Sequence, residues 1–305
     1  MLYYPEGALI DTYANNTAFS SQETLKAAQK NETILEGIAV CCDKSHNILV
    51  SLKNNYKGII PRNEGAVGIL EGTTKDIALI SKVSKPICFV IKEIKSNNEL
   101  ILSRRRAQEK CYEEYISKLT PGDVIPAVVT HFEKYGSFVD IGCGFASLIP
   151  IAAMSISRIE HPSNRFTKGQ KIYAVVKSIE PDKKICLTHK ELLGTWMENA
   201  QNFKAGETVC GIVRSITKDG IFIELKPNLA GLAEHKPEIE IGNVVSVFIK
   251  SLSPERMKAK LAIVDYNKTA STTPEKLKYF ITSGHLQHWR YSPEECDKLI
   301  ETWFE

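Results

Sequence analysis

The chain contains no apolar run long enough to cross a bilayer as a helix, and Met1 to Asn15 carries acids and polar residues where a signal peptide would need an apolar centre. These absences predict a cytoplasmic protein without a membrane partner. Eight cysteines are present, but Cys41-Cys42, Cys88, Cys111, Cys143, Cys186, Cys210 and Cys296 are dispersed and form no Cys-x-x-Cys pair. That spacing argues against a disulfide scaffold and a zinc site, and it suits small apolar residues in a reducing compartment. For Cys41-Cys42 a buried structural role is favoured over redox sensitivity. His285 and His288 have a metal-ligand spacing, yet no carboxylate or Cys cluster completes a site and Gly284 marks a turn, so no metal is expected. There is no Gly-rich phosphate loop, no nucleophile beside a base and no carboxylate cluster; neither an enzyme nor a cofactor is expected. One-sided charge is missing too. A net +3 over 305 residues leaves phosphate attraction to local clusters, which predicts modest, salt-sensitive binding.

What the chain does have is repetition. Pro121-Gly122-Asp123-Val124 returns as Ala205-Gly206-Glu207-Thr208, and Tyr135-Gly136-Ser137-Phe138-Val139 as Asp219-Gly220-Ile221-Phe222-Ile223. Lys177-Ser178 and Pro181 return as Lys250-Ser251 and Pro254 after a shorter intervening loop. Upstream, Phe89-Val90-Ile91-Lys92 and Leu100-Ile101-Leu102-Ser103 anticipate Ala174-Val175-Val176-Lys177 and Ile185-Cys186-Leu187-Thr188. Three copies of one module therefore fill most of the chain.

Alternating apolar residues place five strands in the central copy: Val124 to Phe132, Ser137 to Ile141, Ala146 to Ile151, Lys171 to Ile179 and Lys184 to Thr188, with a break at Glu180-Pro181-Asp182-Lys183. Five short strands suit a small closed barrel of the oligonucleotide-binding (OB) kind. The expected fold is mainly β: three tandem five-stranded OB-fold barrels joined by short helices, with a small C-terminal helical appendage.

The modules resemble the tandem RNA-binding modules of bacterial ribosomal protein S1. Gly122-Asp123-Val124, Tyr135-Gly136-Ser137-Phe138-Val139-Asp140-Ile141-Gly142, the run from Arg158 to His161-Pro162-Ser163, and Leu102-Ser103-Arg104-Arg105-Arg106 carry the likeness, which covers about Thr33 to Asp265. The resemblance implies that the two aromatics of the second-strand region, here Tyr135 and Phe138, stack on single-stranded RNA. Family modules often end the third strand in Gly-Leu-Val-His. This chain has Gly58-Ile59-Ile60-Pro61, Ser147-Leu148-Ile149-Pro150 and Gly231-Leu232-Ala233-Glu234 there, so the His contact is missing from all three copies. On this reading 1–30 is an N-terminal segment, 31–103 a divergent module, 104–120 a helical linker and 121–191 the best-preserved module. A second helical linker follows at 192–204, a third module at 205–266, and a linker with a helical segment at 267–305.

Candidate RNA-binding residues concentrate in the central module. Tyr135 and Phe138 beside Lys134 combine base stacking with phosphate attraction, the alternative being a barrel-end packing pair. Phe132 is expected in the core. His161, Arg165 and Lys168 lie on the long excursion before the fourth strand, where an exposed loop reaches sugar and phosphate, although His161-Pro162 also suits a rigid turn. Lys184, His189 and Lys190 make a second basic edge. Lys218 and Phe222, with Lys250, Arg256 and Lys258, continue the track at lower affinity in the third module, where Asp219 replaces Tyr135. The first module has no aromatic pair. Arg104 and Arg105, with Arg106, open a helix through Leu119 with a stripe of Ala107, Cys111, Tyr115 and Leu119; the triplet is either a phosphate contact or a solvated helix start.

Around these modules, Ser21 caps a short N-terminal helix. Leu192, Leu193, Trp196, Met197 and Ala200 have helical spacing, with Trp196 anchoring a joint. Helix starts are expected at Thr273-Pro274 and at Ser292-Pro293-Glu294-Glu295. The function expected is single-stranded messenger RNA binding in translation, with the small ribosomal subunit as a further candidate partner. The alternative is a protein-docking adaptor of a ribosome or RNA-processing complex.

Overall fold

Strict alternation between inward apolar and outward residues builds most of this chain. β6 shows it best: Ile125, Ala127 and Val129 are buried while Val124, Pro126 and Val128 between them are not. The computed structural model describes residues 3–181, 183–267 and 277–305. In it, helices α1 (Tyr13–Ala18) and α2 (Gln22–Lys30) precede a first barrel of β1 (Leu35–Cys42), β2 (Ile48–Ser51), β3 (Lys57–Ile60), β4 (Pro86–Ile94) and β5 (Glu99–Ser103), with the short α3 (Ile77–Ile80) before β4. Helix α4 (Arg104–Glu114) leads to a second barrel of β6 (Val124–Glu133), β7 (Gly136–Asp140), β8 (Ala146–Pro150), β9 (Lys171–Ile179) and β10 (Ile185–Thr188). After α5 (Trp196–Ala200) comes a third, of β11 (Thr208–Thr217), β12 (Gly220–Lys226), β13 (Leu229–Ala233), β14 (Val244–Ser253) and β15 (Lys258–Asn267).

All three barrels are closed and share one strand order: first, second, third, fifth, fourth and back to the first. The third and fifth strands pair in parallel each time. Gly136 and Gly220, the repeated glycines that open the second strands, are explained by this closure. A Cβ at Gly136 would lie 2.5 Å from the Ile149 carbonyl oxygen, and one at Gly220, where φ is +136°, 2.4 Å from that of Ala233. Only glycine lets the second strand approach the third so closely.

The chain forms two compact units, Met1–Leu119 with Asp140–Ala146, and Thr120–Val139 with Ser147–Glu305. In the first, Ser21 caps α2 by accepting from Thr24 N–H at 3.1 Å. The stripe on α4 is inward, with Ala107 and Cys111 fully buried. The N-terminal segment is tied down by carboxylates. Buried Glu36 accepts from the Gly7 and Leu9 N–H groups at 3.0 and 2.9 Å. Burial raises its carboxyl to about 7, those hydrogen bonds opposing the rise. Burial would also raise Glu6, but Arg104 at 2.7 Å and Lys82 at 2.5 Å bring it down to about 2.

In the second unit Trp196 and Trp289 are buried in the core of the third barrel. The C-terminal segment departs from the expected helix. The capping sequence Ser292-Pro293-Glu294-Glu295 forms a turn, and the segment makes a two-stranded sheet of β16 (His288–Arg290) and β17 (Glu301–Trp303). The reason is that Ser292 Oγ donates to Lys298 O and accepts from Ile300 N–H, closing a loop, while Trp289 and Tyr291 are held in the barrel core. Phe304 packs with Tyr279, Ile281 and Leu286 against Val124, Tyr173, Val175 and Leu192 of the second barrel side. Asp182, the linker expected beyond Asn267 and the helix start at Thr273-Pro274 lie outside the described residues. The cysteines are free thiols, and Cys41 is exposed rather than buried. His285 faces Asp123 at 2.8 Å and His288 faces Glu301 at 2.9 Å. No cluster able to hold a metal occurs among the described residues, nor does any helix long and apolar enough to cross a membrane.

Candidate nucleic-acid interface

The β6–β7 hairpin carries the site because its outward positions are rings. Thr130 Oγ1 donates to the Phe138 carbonyl at 3.0 Å, so the outer faces of the two strands meet there. His131 lies flat on Phe138, with centroids 4.5 Å apart and planes at 5°. Tyr135 meets the same phenyl edge-on at 6.2 Å and is 57% exposed. Phe132, expected in the core, is only half-buried and meets His161 edge-on at 6.0 Å. Lys134 is exposed at the hairpin tip. His131, Phe138 and Tyr135 thus make one ring cluster beside Lys134, and Phe132 with His161 makes a second ring pair; such rings stack bases and the cation attracts phosphate. His131 and Phe132 were missed by sequence reasoning. Strict alternation puts these consecutive residues on opposite faces of the strand, so periodicity did not point to both.

The strand registers show how the three barrels differ across the corresponding surface. In the third barrel Phe222 pairs with Leu232, Leu232 with Lys260 and Lys260 with Ser251. In the central barrel Leu148 pairs with Cys186 and Cys186 with Ser178. The first barrel offers Leu49, Ile59, Ile101 and Glu93 in the matching row, apolar residues ending in an acid. Ring stacking is therefore strongest on the second barrel, is reduced to Phe222 with Lys260 on the third, and this row of the first has neither a ring nor a cation.

Of the remaining expected contacts, Lys168, Lys184 and Lys218 are exposed and Lys190 is half-buried. Lys250 is paired with Glu234 at 3.0 Å. Three residues lie inside the protein instead. Arg165, 3% exposed, places Nη2 2.5 Å from Glu224 Oε1, and Glu224 Oε2 takes Arg214 Nε at 2.7 Å. His189 is fully buried: Nδ1 donates to the Met154 carbonyl and Nε2 accepts from Tyr279 Oη, both at 3.1 Å. Burial lowers its imidazole to about 3, keeping it neutral. Arg104 is buried on Glu6. Arg105 faces Glu109 at 2.6 Å and Glu64 at 3.3 Å, and Arg106 faces Glu32 at 3.0 Å. The arginine triplet is thus committed to carboxylates within its own unit, and Arg104, Arg165 and His189 are structural.

Residues 118–190 match the family model for the S1 RNA binding domain. The chain is 28% identical over 233 residues to small ribosomal subunit protein bS1 of Chlamydia muridarum, covering 69% of this chain and 41% of that protein. It is 25% identical over 291 residues to bS1 of Rickettsia conorii, covering 86% and 51%. A bS1 homolog of Bacillus cereus is 26% identical over 285 residues, covering 82% and 74%. The chain spans about half the length of the first two relatives or less.

Proposed function

We propose that this protein, whose central barrel is an S1 RNA-binding domain, binds single-stranded RNA and acts in translation as a relative of ribosomal protein S1. The carrying observation is the ring cluster of exposed His131 and Tyr135 on half-buried Phe138, beside Lys134. Rings on a barrel surface stack on bases of any sequence, each contributing about 1–3 kcal/mol, while the lysines add a salt-dependent term. The mechanism is binding without sequence readout, with messenger RNA as the substrate and the small ribosomal subunit as the assembly served. The similarity to bS1 proteins supports both assignments. Lys134, Tyr135, Phe138, His161, Lys168, Lys184, Lys190, Lys218 and Phe222 are the contacts we assign.

The first barrel supports a second role, protein docking. Its matching row is apolar up to Glu93, and Leu49 on it is exposed. The test is titration of a fluorescent single-stranded RNA at low and physiological salt with the intact chain and with Tyr135→Ala, Phe138→Ala. Salt-dependent binding that the double substitution weakens by roughly a hundredfold supports the assignment; a wild type that does not bind at low salt removes it.

A further inference from the structure

The segment joining β8 to β9 in the second unit faces two ways. At its exposed end, His161 is held by its own turn: Nδ1 accepts the Ser163 N–H at 3.2 Å, and the His161 N–H donates to Asn164 Oδ1 at 3.0 Å. A neutral imidazole whose Nδ1 accepts a hydrogen bond carries its proton on Nε2. His161 therefore offers an oriented Nε2–H donor beside the half-buried Phe132 ring, 6.0 Å away centroid to centroid. The other end of the segment docks on the third barrel. The Asn164 carbonyl accepts from Arg214 Nη2 at 3.4 Å, and Arg165 enters the buried pair with Glu224.

The docking point lies beside the third barrel's own aromatic. On β12, Ile221 and Ile223 point inward and Phe222 and Glu224 outward. Phe222 therefore lies on the same face as Glu224, about 7 Å along the strand, and its partner across the ladder, Ser215, adjoins Arg214. Along the chain, His161 lies three and four residues before Asn164 and Arg165, whose contacts reach Arg214 and Glu224 beside Phe222, and Phe132 joins it through their edge-on contact.

We propose that Phe132 and His161 form a bridging nucleotide subsite that passes one RNA strand from Tyr135 and Phe138 on the central barrel to Phe222 on the third. A base packs on Phe132, and the Nε2–H of His161 donates to a phosphate or ribose oxygen. The subsite rests on the RNA-binding assignment above. The buried Arg165–Glu224–Arg214 group holds the two faces in register, so the strand meets one preset surface rather than two separately moving ones.

The test uses the full chain with oligouridylates of about 4 and about 12 nucleotides, spanning the range of one OB-fold site and more. Wild type is expected to hold the longer strand at least about tenfold more tightly, and Phe222→Ala to remove most of that gain. In a Phe132→Ala, His161→Ala background, Phe222→Ala should cost less than about twofold further, because the strand no longer crosses. Melting temperatures check folding, and His161→Gln with Phe132→Leu replaces the alanine pair if that pair melts early. Additive losses overturn the bridge. So does unchanged binding after both substitutions when Tyr135→Ala, Phe138→Ala still abolishes it, a result that leaves the RNA assignment standing. No binding of either strand by wild type overturns both.

Discussion

Removing the Glu224 carboxylate should be among the most damaging single changes in the second unit. Its two oxygens lie 2.5 Å from Arg165 and 2.7 Å from Arg214, and the three side chains are 3%, 3% and 9% exposed. Glu224→Ala leaves two guanidiniums facing each other without a counter-charge in a site water does not reach, a loss of about 3–5 kcal/mol. Native domains are stable by about 5–15 kcal/mol, so the change takes a large share of the total. The Lys250–Glu234 pair is the internal comparison: at 3.0 Å it is also an ion pair, but Glu234 is 88% exposed, and Glu234→Ala should cost about 1 kcal/mol or less. The chain has three tryptophans, and Trp196 and Trp289 are both in the core of the third barrel, so intrinsic fluorescence during urea unfolding reports on this unit. With a slope of about 1–3 kcal/mol per molar urea, Glu224→Ala should lower the midpoint by more than about 1 M. Replacing all three members with apolar residues, Arg165→Met, Glu224→Leu, Arg214→Met, should recover most of the loss, since a buried ion group is costly to break rather than strongly stabilising. If Glu224→Ala costs no more than Glu234→Ala, the joint between these barrels is not the buried charge group described.

His189 should make the same unit acid-sensitive. Its folded value of about 3 lies below the ordinary 6.5, so its stabilising contribution is complete above 6.5 and is lost as pH falls toward 3. Between pH 7 and 5 that is about 2 kcal/mol, and His189→Gln should abolish this share in paired urea titrations, even though the raised carboxyl of buried Glu191 acts in the opposite direction. Gly220→Ala should destabilise the third barrel by more than about 1 kcal/mol, because φ is +136° and the Ala233 carbonyl occupies the space for a Cβ; thermal melting followed by tryptophan fluorescence reads it. Leu49→Ser on the first barrel should leave RNA affinity within about twofold in the fluorescence titration, since its row carries neither a ring nor a cation.

The sequence by itself determined everything that depends on local period and on repetition. Alternation located the central strands to within a residue or two, from Val124–Glu133 to Ile185–Thr188, because a barrel wall has one wet and one dry side. The repeated Gly136 and Gly220 marked where strands close on each other. Tyr135 and Phe138 were legible as candidate stacking residues because they adjoin Lys134 and sit in the repeated glycine motif. Tertiary structure decided which charges face solvent. Arg104, Arg165 and His189 read as basic groups in exposed places, but their partners, Glu6, Glu224 and Tyr279, are far away in sequence, and no local pattern announces a buried ion pair. The C-terminal capping sequence is a helix signal worth little more than a kilocalorie, whereas burying Trp289, Tyr291 and Phe304 is worth several. Tertiary packing outweighed it, and the segment became a strand pair. The same holds for His161: its own turn orients the imidazole, but only the tertiary fold sets it beside Phe132.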